Sequence, residues 1–114
     1  MVVQRGDIWW ASLPESIASE PGYRRPVVIV QSDDFNQSEI KTVLAVILTT
    51  NLRLAEVPGN VLLLRGQTGL PKDCVANVSQ VVTADKSFLT ESIGSLSPFL
   101  LGRIDQGLRL ILDL

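Results

Sequence analysis

Residues 23–31 read Tyr23-Arg24-Arg25-Pro26-Val27-Val28-Ile29-Val30-Gln31, so two cations and a proline stand at the start of an uninterrupted apolar run. A run without polar alternation is typical of a strand that is covered on both faces. Pro26 fixes its own φ and disfavours helical geometry at Arg25, so the guanidinium leaves the strand from extended backbone. A guanidinium held in this way can bond two phosphate oxygens at once, although a surface arginine at the end of a strand shows the same pattern.

A second apolar strand is predicted at residues 42–50, and it ends in Thr49 and Thr50. If the two strands pair antiparallel, the start of one lies beside the end of the other, and Arg25 comes near Thr49. An arginine beside a hydroxyl is a suitable site for a phosphodiester, because the arginine supplies charge and the threonine supplies one directed hydrogen bond. The alternative is that both threonines simply occupy strand-end positions.

Shorter elements flank this pair of strands. The pattern predicts strands at residues 7–13, 60–65 and 73–83, the last of them bent or bulged because its apolar alternation is broken. One helical turn is predicted at residues 32–36, and residues 14–25 and the remaining connections are read as loops and turns.

A helix is predicted at the end of the chain. Ser97 and Pro98 suit its N-cap and first position, and the apolar stripe would be Leu101, Ile104, Leu108 and Ile111. With 46% hydrophobic and 19% charged residues, the 114-residue chain can bury a core, and we expect one domain over residues 1–114. The fold expected is mainly β with some α: a small barrel of bent antiparallel strands, with short helical turns and a C-terminal helix packed against it.

Composition excludes several kinds of site. Ten Lys and Arg against twelve Asp and Glu leave a formal charge of −2, so any site for nucleic acid must be a local cationic patch. There is no histidine and only one cysteine, which excludes Ser-His and Cys-His nucleophiles, disulfides and ordinary zinc sites. The N-terminus lacks a signal-peptide pattern and no uncharged run reaches membrane-spanning length, so the expected location is cytoplasmic, without membrane contact.

Several other side chains are candidates for binding. Trp9 and Trp10 should point to opposite faces of their strand, one into the core and the other as a platform for a base or a partner. Asn77 and Gln80 could offer amides to base edges, although a bent strand with one polar face explains them equally well. Lys72 could add to a local positive rim. Cys74 is expected to be a small buried residue rather than a nucleophile.

The ordered motifs resemble the MazF/PemK-type toxins, which are the mRNA interferases of bacterial type II toxin-antitoxin modules. The resemblance rests on Arg5-Gly6-Asp7-Ile8-Trp9, Glu20 with Gly22, Arg25-Pro26-Val27-Val28-Ile29-Val30-Gln31, Val46-Ile47-Leu48-Thr49-Thr50, Asp73-Cys74-Val75 and Ile93-Gly94-Ser95-Leu96. The chain departs from the family pattern at three positions: Pro21 replaces the usual glutamine, Ala18 a common glycine and Cys74 a common serine.

The resemblance implies an SH3-like or CcdB-like barrel and a sequence-specific, metal-independent endoribonuclease that needs no cofactor. The ribose 2′-hydroxyl of single-stranded RNA would attack the adjacent phosphate, leaving a 2′,3′-cyclic phosphate and a 5′-hydroxyl. Carried over by position, the catalytic residues are Arg25, Thr49 and Glu20, with Glu20 as the candidate base. The residues expected to bind RNA are Arg24, Thr50, Asn77, Gln80, Lys72 and Trp10.

The resemblance also implies partners: a homodimer, and a cognate antitoxin that covers the RNA groove with an extended acidic C-terminal segment. The alternative is a non-catalytic toxin on the same scaffold, a CcdB-like gyrase poison that acts by protein binding. A CcdB-like toxin is expected to carry a C-terminal Trp-Gly-Ile tail. This chain ends Ile111-Leu112-Asp113-Leu114, which counts against that alternative.

Overall fold

A computed structural model describes residues 2–13 and 24–114, which form an antiparallel sheet of six strands curled into a half-barrel. The strand order is β4-β5-β3-β2-β1-β6. The strands are β1 Asp7–Ser12, β2 Arg24–Ile29, β3 Thr42–Thr49, β4 Val61–Leu63, β5 Cys74–Asp85 and β6 Leu89–Ser95. The helices are α1 Asp33–Asn36, α2 Arg65–Thr68 and α3 Pro98–Leu112, with 3₁₀ turns at Leu52–Glu56 and Lys86–Phe88. The predicted mainly β fold with a C-terminal helix is confirmed.

The two predicted apolar strands lie at the centre of the sheet and pair antiparallel. In their register Val27 faces Ile47, and Val28 faces Val46. All four side chains are buried, which confirms that both strands are covered on both faces. The covering differs between the faces: one packs against β4, β5 and α3, and the other against the N-terminal segment and β6.

The motif at residues 5–7 ties the first strand to the rest of the fold. The Arg5 guanidinium donates to the backbone oxygen of Val30, at 3.0 Å, and forms an ion pair with Asp105 of α3. The Asp7 carboxylate accepts a hydrogen bond of 2.9 Å from Ser95 Oγ at the end of β6. These contacts give the motif a structural role at the junction of β1, β2, β6 and α3.

Helix α3 begins as predicted but buries a different stripe. Ser97 Oγ accepts a hydrogen bond from the backbone N–H of Leu100, at 3.3 Å. The buried residues are Leu100, Ile104 and Gly107, whereas Ile111 is exposed, so the prediction that Ile111 joins the core is wrong. The reason is a close approach of two backbones: Gly107 packs directly on Gly59, which rotates the buried stripe toward position 107 and leaves the last turn uncovered.

Two elements were not predicted. Strand β6 has a mostly polar, exposed sequence without apolar alternation, and it becomes a strand through its pairing with β1. Helix α2 was read as a loop because it consists of a single turn that contains Gly66. Strand β5 is bulged as predicted, since the β3–β5 register shifts between Val46 and Leu48. In the parts of the chain that the structure describes, no helix is both long and apolar enough to cross a membrane.

The packing of α3 predicts an asymmetry between two glycines of that helix. A methyl group at position 107 would overlap the carbonyl oxygen of Gly59, so Gly107→Ala should lower the free energy of unfolding by about 3 kcal/mol, the upper end of typical overpacking costs. Gly102→Ala is the matched control, because its methyl group would meet nothing within 4 Å and should add about 0.5–1 kcal/mol of helix stability. Urea unfolding of the three proteins measures both effects, and equal midpoints would contradict the packing described.

Candidate active site

Arg25 lies at the start of β2 and Thr49 at the end of β3, so the antiparallel pairing brings both residues to the same end of these two central strands. The β2–β3 register, continued by two residues, places Arg25 opposite Thr49. The Thr49 side chain is buried and its Oγ1 accepts a hydrogen bond of 3.2 Å from the backbone N–H of Asn51. Arg25 is half-buried with its Nε atom inside the protein. The antiparallel pairing on which this prediction depended is confirmed.

A groove runs beside this end of the two strands. It consists of two adjoining cavities, of about 250 Å³ and about 480 Å³, that share Thr50, Pro71 and Lys72. The smaller cavity is mainly apolar and the larger one is mainly polar; the other lining residues are Trp10, Pro26, Leu70 and Cys74 in the first, and Leu52, Arg65 and Asp73 in the second. Of the residues predicted to bind RNA, Trp10, Thr50 and Lys72 therefore line one surface.

Arg24 and Trp10 form a stacked pair at the apolar end of the groove. The guanidinium carbon of Arg24 lies 4.4 Å from the centre of the Trp10 ring, and Arg24 Nη2 is 3.0 Å from Glu91 Oε1. A cation over an indole face is an attractive arrangement. Trp9 packs on the opposite face of the sheet, so the prediction of opposite faces is confirmed, although both tryptophans are half-buried rather than one core and one exposed.

The Cys74 thiol lies in the wall of the groove but is a poor nucleophile near neutral pH. Burial, with a smaller contribution from the neighbouring Asp73 carboxylate, raises the pKa of Cys74 to about 11. The thiol therefore stays protonated near neutral pH, and protonated sulfur is a poor nucleophile. The prediction of a small buried residue is confirmed.

Asn77 and Gln80 lie apart from the groove. Asn77 Nδ2 donates to Gln80 Oε1 at 2.9 Å, and Asn77 Oδ1 accepts from Ser79 Oγ at 2.9 Å. Neither residue lines either cavity of the groove, and both stabilise the bulged part of β5. Their contact with RNA stays a prediction. Glu20, together with Ala18 and Pro21, lies outside the described residues.

The sequence reading missed the opposite wall of the groove. Leu70 and Pro71 follow Gly69, which ends α2 in a left-handed conformation with φ of 84°. The only sequence signal is a Gly-Leu-Pro turn, which does not say what the turn faces. In the described ranges, 2–13 and 24–114, no three His, Cys, Asp or Glu residues lie close enough together to hold a metal ion.

Comparisons with known proteins show the family and the fold. The model of the PemK-like, MazF-like toxins of type II toxin-antitoxin systems matches residues 4–112. The endoribonuclease MazF6 of Mycobacterium tuberculosis (strain H37Rv) is 45% identical over 114 residues, covering 100% of both chains. Two solved structures share the fold. MazF from Deinococcus radiodurans has a TM-score of 0.80 at 19% identity, and the match covers 100% of this chain and 99% of that one. A mycobacterial endoribonuclease in complex with its cognate antitoxin has a TM-score of 0.79 at 24% identity, and the match covers 98% of this chain and 96% of that one.

The raised pKa of Cys74 predicts slow thiol chemistry. Because that pKa is about 11 instead of 9.0, the thiolate fraction at pH 8 should be about 100-fold lower than for a free thiol, and labelling by a disulfide reagent should slow to a similar degree. The rate should rise as pH approaches 11 and should reach the free-cysteine rate in denaturant. Rapid labelling of the folded protein at pH 8 would show that the thiol is neither buried nor protonated.

Proposed function

The chain belongs to the PemK-like, MazF-like toxins of type II toxin-antitoxin systems and is an endoribonuclease of that family, and we propose that it cuts single-stranded RNA at specific sequences without a metal ion. The observation that carries the proposal is the β2–β3 register, which sets Arg25 opposite Thr49 beside a groove with cationic and aromatic walls. In this proposal the pair binds the scissile phosphate, and the groove holds the neighbouring nucleotides.

Arg25 has an electrostatic role in the proposed reaction. The ribose 2′-hydroxyl attacks the adjacent phosphorus and the bond to the 5′-oxygen breaks, so the products are a 2′,3′-cyclic phosphate and a 5′-hydroxyl. Negative charge grows on the phosphoryl oxygens as the new bond forms. An arginine guanidinium keeps its charge throughout and presents several donors in a rigid fork, so it stabilises this charge without exchanging a proton. Half-burial strengthens the interaction by keeping water from the guanidinium.

Thr49 orients the phosphate in this proposal. Its Oγ1 accepts a hydrogen bond from the Asn51 N–H, and its backbone pairs with Val75 of β5. Because both the Oγ1 atom and the backbone of Thr49 are held in place, its hydroxyl can direct one hydrogen bond to a phosphate oxygen with little loss of side-chain conformational freedom. Glu20 is proposed as the general base on the resemblance alone.

The remaining groove residues would bind the RNA strand. Lys72 adds positive charge for the phosphates, Thr50 adds a hydroxyl, and Trp10 offers an aromatic surface on which a base can stack. Arg24 already covers part of that ring and shares its charge with Glu91, so its contact with RNA would require competition with this ion pair.

We propose that a cognate antitoxin covers the same groove with an extended acidic segment. A structural neighbour of this chain is an endoribonuclease in complex with its cognate antitoxin. Arg65 and Lys72 line the polar cavity, and carboxylates of an extended peptide could occupy the phosphate positions there. The cations that bind RNA would then also bind its competitor.

We propose a homodimer through an apolar surface formed by Leu44, Val81, Leu108, Leu112 and Leu114, which surround a shallow cavity of about 320 Å³. Leu44 and Val81 lie on neighbouring strands at the centre of the sheet yet are about 40% exposed, at 42% and 39%. Apolar residues clustered on a surface are typical of an interface between subunits. Three charged residues also line this cavity: Arg5 and Asp105 pair with each other, and Arg109 is exposed.

The decisive test of the activity is cleavage of a long single-stranded RNA in the presence of EDTA, with end mapping. The wild-type protein should make discrete cuts that leave 5′-hydroxyl ends, and Arg25→Ala should lower kcat by about 10²–10³-fold, the typical cost of losing one transition-state donor. Arg24→Ala is the matched control, since it removes the neighbouring arginine: KM should rise while kcat stays within about threefold.

The alternative of a non-catalytic toxin predicts a different outcome. A folded wild-type protein that leaves a diverse RNA intact, or an Arg25→Ala variant that cuts as fast as wild type, would overturn the proposed reaction. Cuts that leave 5′-phosphate ends would overturn the proposed attack by the 2′-hydroxyl.

The proposed dimer surface predicts that Leu44→Asp gives a monomer. A charge at the centre of an apolar interface must be desolvated without a partner, which costs several kcal/mol of association free energy for each of the two copies. Phe35→Asp is the control, because Phe35 is also exposed, at 60%, but does not line this cavity. Light scattering after gel filtration measures the mass. A dimeric Leu44→Asp protein would show that the subunits meet elsewhere.

A further inference from the structure

The side chain of Asn60 joins two segments that are distant in sequence. Asn60 Nδ2 donates to the backbone oxygen of Leu54 at 3.0 Å and to Asn77 Oδ1 at 3.3 Å, and Asn60 Oδ1 accepts from the backbone N–H of Val78 at 3.0 Å. The residue is 9% exposed. Its two N–H donors and its carbonyl oxygen are therefore all used inside the protein, between the 3₁₀ turn 52–56 and the bulge of β5.

The bulge of β5 explains why a side chain is needed there. Val46 pairs with Val81 and Leu48 with Ala76, so residues 77–80 of β5 have no paired partners on β3. The backbone N–H of Val78 is buried and cannot join the strand ladder, and Asn60 Oδ1 accepts its hydrogen bond instead. Asn60 thus stabilises an irregular segment that the sheet alone would leave unsatisfied.

The 3₁₀ turn that Asn60 holds begins three residues after Thr49. The Asn51 side chain accepts a hydrogen bond from the backbone N–H of Arg53 at the start of the turn, at 3.3 Å, and the Asn51 N–H donates to Thr49 Oγ1. Leu52, the first residue of the turn, lines the groove beside Thr50. A continuous path of hydrogen bonds and short backbone steps therefore leads from Asn60, through Leu54 and Asn51, to the Thr49 hydroxyl.

We propose that Asn60 is a positioning residue, which sets the Thr49 hydroxyl and the Leu52 wall of the groove through its hold on the turn 52–56. Asn60 lines neither cavity of the groove, so it acts through its neighbours and not by contact with RNA. The inference rests on the proposed reaction, in which Thr49 orients the scissile phosphate. Small displacements of a positioning group lower the chemical rate more than they lower binding.

The test is Asn60→Asp, which keeps the shape of the side chain and an acceptor for the Val78 N–H. It removes both N–H donors and places a carboxylate oxygen against the Leu54 carbonyl oxygen. Ser79→Ala is the matched control, because it removes a hydrogen bond to Asn77 within the same network without touching the turn 52–56. If Asn60→Asp does not fold, Asn60→Ser takes its place under the same criteria.

Two measurements are made well below the unfolding temperature. The first is the cleavage rate at saturating RNA, together with the Kd for an RNA that carries a 2′-deoxy nucleotide at the mapped cut position. We expect Asn60→Asp to lower the rate by about tenfold or more with Kd within about threefold, and Ser79→Ala to match wild type. The second is hydrogen exchange of the Asn51 amide, which should become about tenfold faster in Asn60→Asp only.

The exchange measurement separates this inference from the proposed reaction. If wild type cleaves no RNA, the reaction fails and the exchange of Asn51 alone tests the hold of Asn60 on the turn. Unchanged Asn51 exchange in Asn60→Asp overturns the inference, whatever the activity. A faster exchange with a wild-type cleavage rate also overturns it, because the turn would then move without affecting the chemistry.

Discussion

The antiparallel pairing of β2 with β3 is the interaction on which the rest of the structure depends. Both strands are apolar on both faces, so they are stable only at the centre of a sheet that is covered on each side. Helix α3 covers one face, while the N-terminal segment and β6 cover the other. Because the pairing is antiparallel, it also brings the polar start of β2 beside the polar end of β3. The same register that builds the core places Arg25 opposite Thr49.

Irregular pairing gives this sheet its curvature and its groove. Register shifts occur in β1 against β6 and in β3 against β5, and such bulges increase the local twist of strands. The curl leaves space between the end of β3 and the turn after α2, and Thr50, Pro71 and Lys72 line that space. Each irregularity needs support from outside the strand ladder. Asn60 supplies it for β5, and the Gly59–Gly107 contact lets α3 approach the same region.

Local patterns predicted the elements whose physical causes are local. The uninterrupted apolar runs identified β2 and β3, the Ser97-Pro98 pair identified the start of α3, and broken alternation identified the bulged β5. Predictions failed where a distant contact decides the outcome. Strand β6 exists because β1 supplies its hydrogen-bond partners, and Ile111 is exposed because two glycine backbones meet at Gly107. Asn77 and Gln80 bond to each other within the bulge, and their contact with RNA stays a prediction.

Four features were predictable from the sequence: the central strands, the terminal helix, the absence of histidine chemistry and, through an ordered set of motifs, the family. These follow from residue identity and from spacing along the chain, which fix propensity, periodicity and the available functional groups. Three features depend on the folded chain: which walls form the groove, the stacking of Arg24 on Trp10, and the connection that Asn60 makes between the bulge of β5 and the turn 52–56. The physical reason is that burial and hydrogen-bond partners depend on residues far apart in sequence, which only the curled sheet brings together.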